Sequence, residues 1–326
     1  MAQSTTVGPY TSDGVSLTNL YRRRLAMLDE YAATVDLKAL LCESTWQPTL
    51  DVEQSAKTMK KAPSDVSIAP VEHLDIQSIT IPQPVKYHVG GAITNDAIKK
   101  GMTSGQVMRE MSSAIEADKR LVAQVIMKEL LTDGGFWDAT AAPPRWGNNA
   151  MTSSHDHYLA YATSGVAALT HVARAKRLLS EHGPVGELIA FFNGDQIEKM
   201  EVQAEWVSAV ADKTPLLNDL QINGFTPQFK TDGVVWVEND YCPTYFGVVL
   251  NILPNYKPLA WRYAVRPDDK DDRLLRYQGP ENEAYYRQES YVRWGACKVQ
   301  MRSLGVAIDL AHATWTDPVV TEWDAI

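Results

Sequence analysis

Between Thr103 and Leu131 the chain contains no proline, and glycine interrupts it only near the start. The run predicts one helix of about 29 residues, roughly 43 Å long at the rise of an α-helix. An ordinary globular helix has three or four turns. Val107, Met111, Ala114, Ile115, Leu121, Val122, Val125 and Ile126 fall on one side of it, and Arg109, Ser113, Glu116, Arg120 and Gln124 on the other. Thr103 or Ser104 can cap its start, with Gln106 or Val107 closing the first turn. A compact enzyme seldom needs such a rod, whereas a thin subunit that tiles with copies of itself does. Asp118 breaks the pattern, because it lies in the middle of the apolar stripe. A buried carboxylate needs a cation or backbone donors, either within the subunit or across an interface.

Around this helix the chain changes character several times. Residues 1–15 read as a polar arm, followed by a helix from Ser16 to Ala33 that carries Arg22, Arg23 and Arg24. That cluster reads either as a solvated helical face or as a local cationic segment that meets phosphate. From Thr45 to about Gly91, Pro48, Pro63, Pro70, Pro82 and Pro84 exclude long helices. Short extended segments are expected at Asp65–Ala69, Leu74–Ile81 and Val85–Val89, with Lys57, Lys60 and Lys61 near the middle. So few large apolar residues cannot make a core, and the segment reads as a hairpin that gains buried area from a neighbouring molecule.

After the long helix, Gly134-Gly135 is a stop and Ala141–Ser154 a loop. A second helix is expected over Asp156–Glu181, a buried strand over Glu187–Phe192, and a helix from Asp195 to about Ala211. That order implies an α/β domain. The last third reads as strands at Gly233–Val237, Tyr245–Leu253, Leu259–Val265, Tyr285–Gly295 and Cys297–Asp309.

Little of this suggests catalysis. There is no phosphate-binding glycine loop and no GxSxG. Cys42, Cys242 and Cys297 lack metal-type spacing and read as reduced thiols. His155-Asp156-His157 could share a metal, but Asp156 serves equally well as a helix N-cap, and no partner ligand stands nearby in sequence. Glu238 and Asp240 read as a solvated turn rather than an acid–base pair. A net charge of −9 argues against an outer surface built for nucleic acid, without excluding one local basic face. No apolar signal segment or membrane-length run is present, so a soluble protein made in the cytosol is expected.

The order of arm, hairpin, long helix, α/β domain and returning strands resembles the major capsid protein of tailed double-stranded-DNA phages, a fold shared with encapsulin shells. The resemblance is carried by Ile93–Leu131, by Leu188–Asn193 and the helix after it, by Cys242-Pro243 and Lys257-Pro258-Leu259, and by Arg293-Trp294-Gly295-Ala296 with Val299–Leu310 and Pro318. It implies an α+β capsid fold. An N-terminal arm with a helix would occupy 1–44 and an extended β-hairpin loop 45–92. A peripheral domain would start at 93–150 with a spine helix over 103–131, and an α/β axial domain would span 151–255. Return strands over 256–326 would complete the peripheral domain.

The implied function is structural and not enzymatic, with no cofactor. Copies of the chain would form pentamers and hexamers that close an icosahedral shell, assembled in the host cytoplasm as the virion capsid. Other implied partners are a separate scaffolding protein, a portal, a decoration protein and packaged double-stranded DNA held non-specifically, with no membrane. Arg22, Arg23 and Arg24 would contact DNA on the inner face, and Lys57, Lys60 and Lys61 a neighbouring subunit. An encapsulin-type nanocompartment shell is the alternative, and a soluble α/β enzyme with a metal at His155 and His157 is a third reading.

Overall fold

The computed structural model describes residues 10–34, 37–53, 76–132, 157–161, 165–181, 185–201, 227–231, 233–254, 256–264, 272–279 and 285–318. In chain order the elements begin with α1 Leu17–Ala33, α2 Leu37–Leu41, β1 Cys42–Thr45, β2 Thr49–Glu53, β3 Ile76–Thr80 and β4 Val85–Thr94. Next come α3 Asn95–Lys99, α4 Ser104–Leu131, β5 Tyr158–Ala160, α5 Leu169–Glu181, β6 Glu187–Phe192 and α6 Gly194–Glu201. The series ends with β7 Pro227–Thr231, β8 Val234–Glu238, β9 Phe246–Ile252, β10 Leu259–Arg262, β11 Leu275–Gln278, β12 Tyr285–Val299 and β13 Gly305–Asp309.

These elements cluster into two units, one of residues 1–36, 84–122 and 263–295, the other of 37–83, 123–262 and 296–326. Two elements contribute to both. The first unit takes α4 as far as Val122 and β12 as far as Gly295, and the second unit takes the remainder of each.

In the first unit β12 is the central strand. It pairs antiparallel with β4, from Gly295↔Val85 to Tyr285↔Thr94, and with β11, from Val292↔Leu275 to Glu289↔Gln278. The helices α1 and α4 complete this unit's core. Leu17, Leu20 and Tyr21 of α1 meet Val107 of α4 and Ile93 of β4, while Leu28 joins Met111, Ala114, Ile115 and Tyr291. The α1 contacts recur at the three- and four-residue spacing of a helical face.

The second unit is built on a six-stranded sheet in the order β5-β13-β9-β6-β8-β7. Leu188, Ala190 and Phe192 of β6 meet Val172, Ala175 and Leu179 of α5 and Ile197 and Met200 of α6. Ile189 and Phe191, on the opposite face of β6, are equally buried. A strand covered on both faces reads as an unbroken apolar run, which is how Glu187–Phe192 stands out in the sequence. Phe192 pairs with Gly247 on β9, and any side chain there would collide with its ring. The same ring stacks on Trp236, with centroids 5.3 Å apart.

Outside that sheet, β1 runs parallel to β10, and β10 pairs with the last four residues of β12. The strands β2 and β3 form a separate two-stranded ribbon, from Thr49↔Thr80 to Glu53↔Ile76. Its base is held by Ile79, which packs on Leu253, Met301 and Leu304, and by Arg262, whose Nη1 donates to the carbonyls of Ile81 (3.0 Å) and Pro82 (3.2 Å).

Several local expectations need correction. The helix expected over Asp156–Glu181 is a strand, β5, followed by α5, which starts at Leu169. Gly165, between them, has φ +51, a left-handed conformation that ends any helix passing through it. The two segments Tyr285–Gly295 and Cys297–Asp309 are instead one strand to Val299, a 3-10 turn at Arg302–Leu304 and a separate strand. Asp65–Ala69, Gly134-Gly135, Ala141–Ser154 and residues 202–211 lie outside the described residues.

Candidate functional site

The start of α4 is fixed by its own sequence. The Gln106 N–H donates to Thr103 Oγ1 (3.3 Å), and the Thr103 N–H donates back to Gln106 Oε1 (2.9 Å). This reciprocal capping box satisfies two of the donors that every helix start leaves open. Asp13 accepts from the Ser104 N–H at 3.0 Å and from its hydroxyl, and those bonds hold its carboxyl down to about 2.

Past the cap, α1, α4 and β12 meet at two buried polar stations. At the first, Arg24 of α1 is 2% exposed and Glu289 of β12 is 3% exposed. Arg24 donates to Glu289 Oε2 (2.8 Å), to the Val107 carbonyl and to Glu110 Oε2 (3.4 Å). Glu289 also accepts from Arg276 Nε (3.1 Å) and Nη2, and from the Tyr291 hydroxyl (2.6 Å). The guanidinium carbons of Arg24 and Arg276 lie 5.8 and 5.6 Å from the Tyr21 ring centre. Burial alone would raise the Glu289 pKa, but the donors and cations around it outweigh burial and lower it. Glu110 goes the other way: burial dominates over the attraction of Arg24, and its pKa is raised.

At the second station Asp118 is 4% exposed. Arg293 grips it with both arms of its guanidinium, Nε to Oδ1 at 2.7 Å and Nη2 to Oδ2. The Tyr31 hydroxyl of α1 donates to Oδ2 at 2.9 Å, and Arg293 Nη1 donates to the Asp272 carbonyl at 3.0 Å. Burial would lower the Arg293 pKa, but the bonds and charge of Asp118 raise it, so the guanidinium stays charged.

The spacing of the two stations follows from helix and strand geometry. Glu110 and Asp118 lie eight residues apart on a helix, about 12 Å. Glu289 and Arg293 lie four apart on a strand, about 13 Å. Arg24 and Tyr31 lie seven apart on a helix, about 10 Å. Three elements with different rises therefore present polar groups in step.

The second unit has a smaller counterpart near the end of α4. Glu129 accepts from the Val299 N–H (3.1 Å) and lies 3.2 Å from Lys298 Nζ, and burial raises its pKa against that attraction.

The residues singled out from sequence are distributed unevenly. Arg22 and Arg23 are exposed, without a hydrogen bond or ion pair among the described residues. Arg24 must be corrected: it is an internal ion-pair residue and not a surface cation. It shares the buried face of α1 with Leu17, Leu20, Tyr21 and Leu28, whereas its two neighbours in sequence point outward. Lys57, Lys60, Lys61, His155 and Asp156 lie outside the described residues. His157 is fully buried, and its Nδ1 donates to the Gly305 carbonyl at 2.8 Å. Among the described residues no group of three ligating side chains is placed to hold a metal.

Sequence reasoning missed Glu289, Tyr291 and Arg293. They alternate on one face of β12, and all three are buried. A period-two polar row inside an apolar strand was the available signal. The chemistry of the two stations is that of holding three elements in register.

No family model matches the sequence, and no curated protein does. Solved structures match its fold. A chain of Mycobacterium phage Patience matches at TM-score 0.63 and 18% identity, over 99% of this chain and 95% of that one. A chain of the bacteriophage PhiM1 mature capsid matches at TM-score 0.55 and 10% identity, over 86% and 88% of the two chains. A chain from the capsid of a native GTA particle matches at 0.52 and 14%, over 86% and 91%. At such identities the likeness is one of fold, and it spans nearly the whole chain: this is an α+β protein with the fold of phage capsid chains.

Proposed function

We propose that the chain is the major capsid protein of a tailed double-stranded-DNA phage. In this reading it is a structural, non-enzymatic subunit that assembles with copies of itself, as pentamers and hexamers, into an icosahedral shell. The observation that carries the reading is the whole-chain likeness of fold to chains from capsids, over 86% of this chain in both named capsid structures. Supporting it, the β2–β3 ribbon pairs with no third strand among the described residues, and two-stranded ribbons are marginal alone. A neighbouring copy would supply the missing buried area, and Lys57, Lys60 and Lys61, between β2 and β3 in sequence, would contact it. Arg22 and Arg23 are free to meet packaged DNA. A separate scaffolding protein, a portal and a decoration protein are the other partners this role would bring, in a virion capsid assembled in the host cytoplasm.

Electron microscopy of the expressed chain, alone and with candidate scaffolding protein, tests the reading. Closed shells are expected. Monomers under every condition would overturn it, and small uniform particles closing around a cargo enzyme would reassign the chain to a nanocompartment.

A further inference from the structure

The charges on α4 are sorted by sign. Within the first unit, two of its three carboxylates pair with internal arginines, buried Asp118 with Arg293 and half-buried Glu110 with Arg24, while Glu116 is exposed. The cations of the same stretch, Arg109, Lys119 and Arg120, are all exposed. Lys119 lies 3.3 Å from Glu116, but both are well exposed and such a pair is worth little. Arg109 and Arg120 make no hydrogen bond or ion pair among the described residues.

At about 100° per residue, Arg109, Ser113, Glu116 and Arg120 share one narrow sector of the helix, with Ser112 and Lys119 beside it, opposite Val107, Met111 and Asp118. No apolar side chain stands among these six. A protein partner would find no aromatic or aliphatic anchor to bury. Its three cations outweigh the one carboxylate, Glu116, so what the stripe offers is hydroxyls, an ammonium and two guanidinium forks about 16 Å apart along the axis. That combination recognises phosphate groups in sequence, without reading bases. The charge of the whole chain permits it: the first unit holds fifteen Lys and Arg and fifteen Asp and Glu, so the net charge of −9 falls on the second unit.

We infer that the outer stripe of α4, centred on Arg109 and Arg120, is a sequence-independent contact for the phosphate backbone of double-stranded nucleic acid. The inference rests on the shell-subunit reading for the presence of DNA, and it adds a second cationic surface to Arg22 and Arg23.

The test compares full-length wild type with an Arg109→Gln/Arg120→Gln double variant. A control, Arg177→Gln/Lys199→Gln, makes the same charge change on exposed positions of α5 and α6. Binding of each soluble chain to a short labelled DNA duplex of arbitrary sequence is measured across a potassium chloride series. Each lost phosphate contact lowers the slope of log K against log salt by about 0.9. The stripe variant should therefore lose about 2 from the slope, and the control none. Equal slopes for the two variants, or no salt-dependent binding by wild type, would overturn the inference. So would a stripe variant that keeps its slope but no longer forms particles, because the stripe would then be a contact between copies. Failure of wild type to form particles would instead sink the shell reading, while the slope comparison still reports on the stripe.

Discussion

Asp118 and Arg293 are 175 residues apart in sequence and share two hydrogen bonds in a buried site. Removing either leaves the other without its main partner in a buried site, which typically costs about 3–5 kcal/mol. Asp118→Ala and Arg293→Ala should each lower the unfolding free energy by that amount, read from denaturant titrations, and the double variant should lose less than the sum, because one absence relieves the other. Strictly additive losses would mean that the pair is not coupled. Asp118 was legible in the sequence because a carboxylate in an apolar helical stripe demands a partner. Arg293 was not legible, because nothing local says which distant strand lies over the helix.

The first station makes a pH prediction in which two neighbouring carboxylates carry opposite signs. Glu289 has a lowered pKa in the fold, so its stabilisation is complete above 4.5, the ordinary glutamate value, and is lost as pH falls through the lower folded value. Glu110 has a raised pKa, so its contribution is present at low pH and is lost as pH rises above 4.5 through the folded value. Glu289→Gln should therefore cost stability at pH 7, by about 3 kcal/mol, and the deficit should shrink in acid. Glu110→Gln should be at least as stable as wild type at pH 7, with the difference vanishing in acid. Thermal melts of the three chains between pH 3 and 7 check both signs.

The elements repeat this division between local and distant causes. The long helix was legible almost to the residue, because its start carries a four-residue signature, Thr103 to Gln106, and its apolar stripe is long. Thr103→Ala should cost about 1 kcal/mol, read as a lower thermal midpoint, whereas Thr103→Ser should restore most of it. An alanine variant as stable as wild type would show that Asp13, bonded to Ser104, is a sufficient cap. The stretch around Leu159 was misread because its apolar residues fit a helical period, and one glycine in a left-handed conformation decides otherwise. Arg24 was misread for a related reason: three consecutive arginines look like a surface cluster until the helical face of Leu20, Tyr21 and Leu28 claims the third.

At the scale of the molecule, the order of elements was legible and the pairing of strands was not. Parallel β1–β10 and β6–β8 neighbours, and the long β12, depend on contacts between segments far apart in the chain. One consequence can be measured with the cysteines. Cys42, Cys242 and Cys297 are all buried, and burial pushes the Cys242 and Cys297 thiols up, so neither accessibility nor thiolate favours reaction. The native chain should react slowly with a thiol reagent and take up three equivalents when denatured. All three cysteines belong to the second unit, but they do not sit alike. Cys297 lies on β12, the strand whose earlier residues include Arg293 in the first unit, whereas Cys242 lies between β8 and β9. Local opening follows cooperative stretches of backbone, so Arg293→Ala should loosen β12 along its length. Labelling of Cys297 should then accelerate more than labelling of Cys242, as read by mass spectrometry of the labelled peptides. Equal acceleration of both would mean that the variant acts through global unfolding. No acceleration of either would mean that the shared strand does not carry disturbance from one unit into the other.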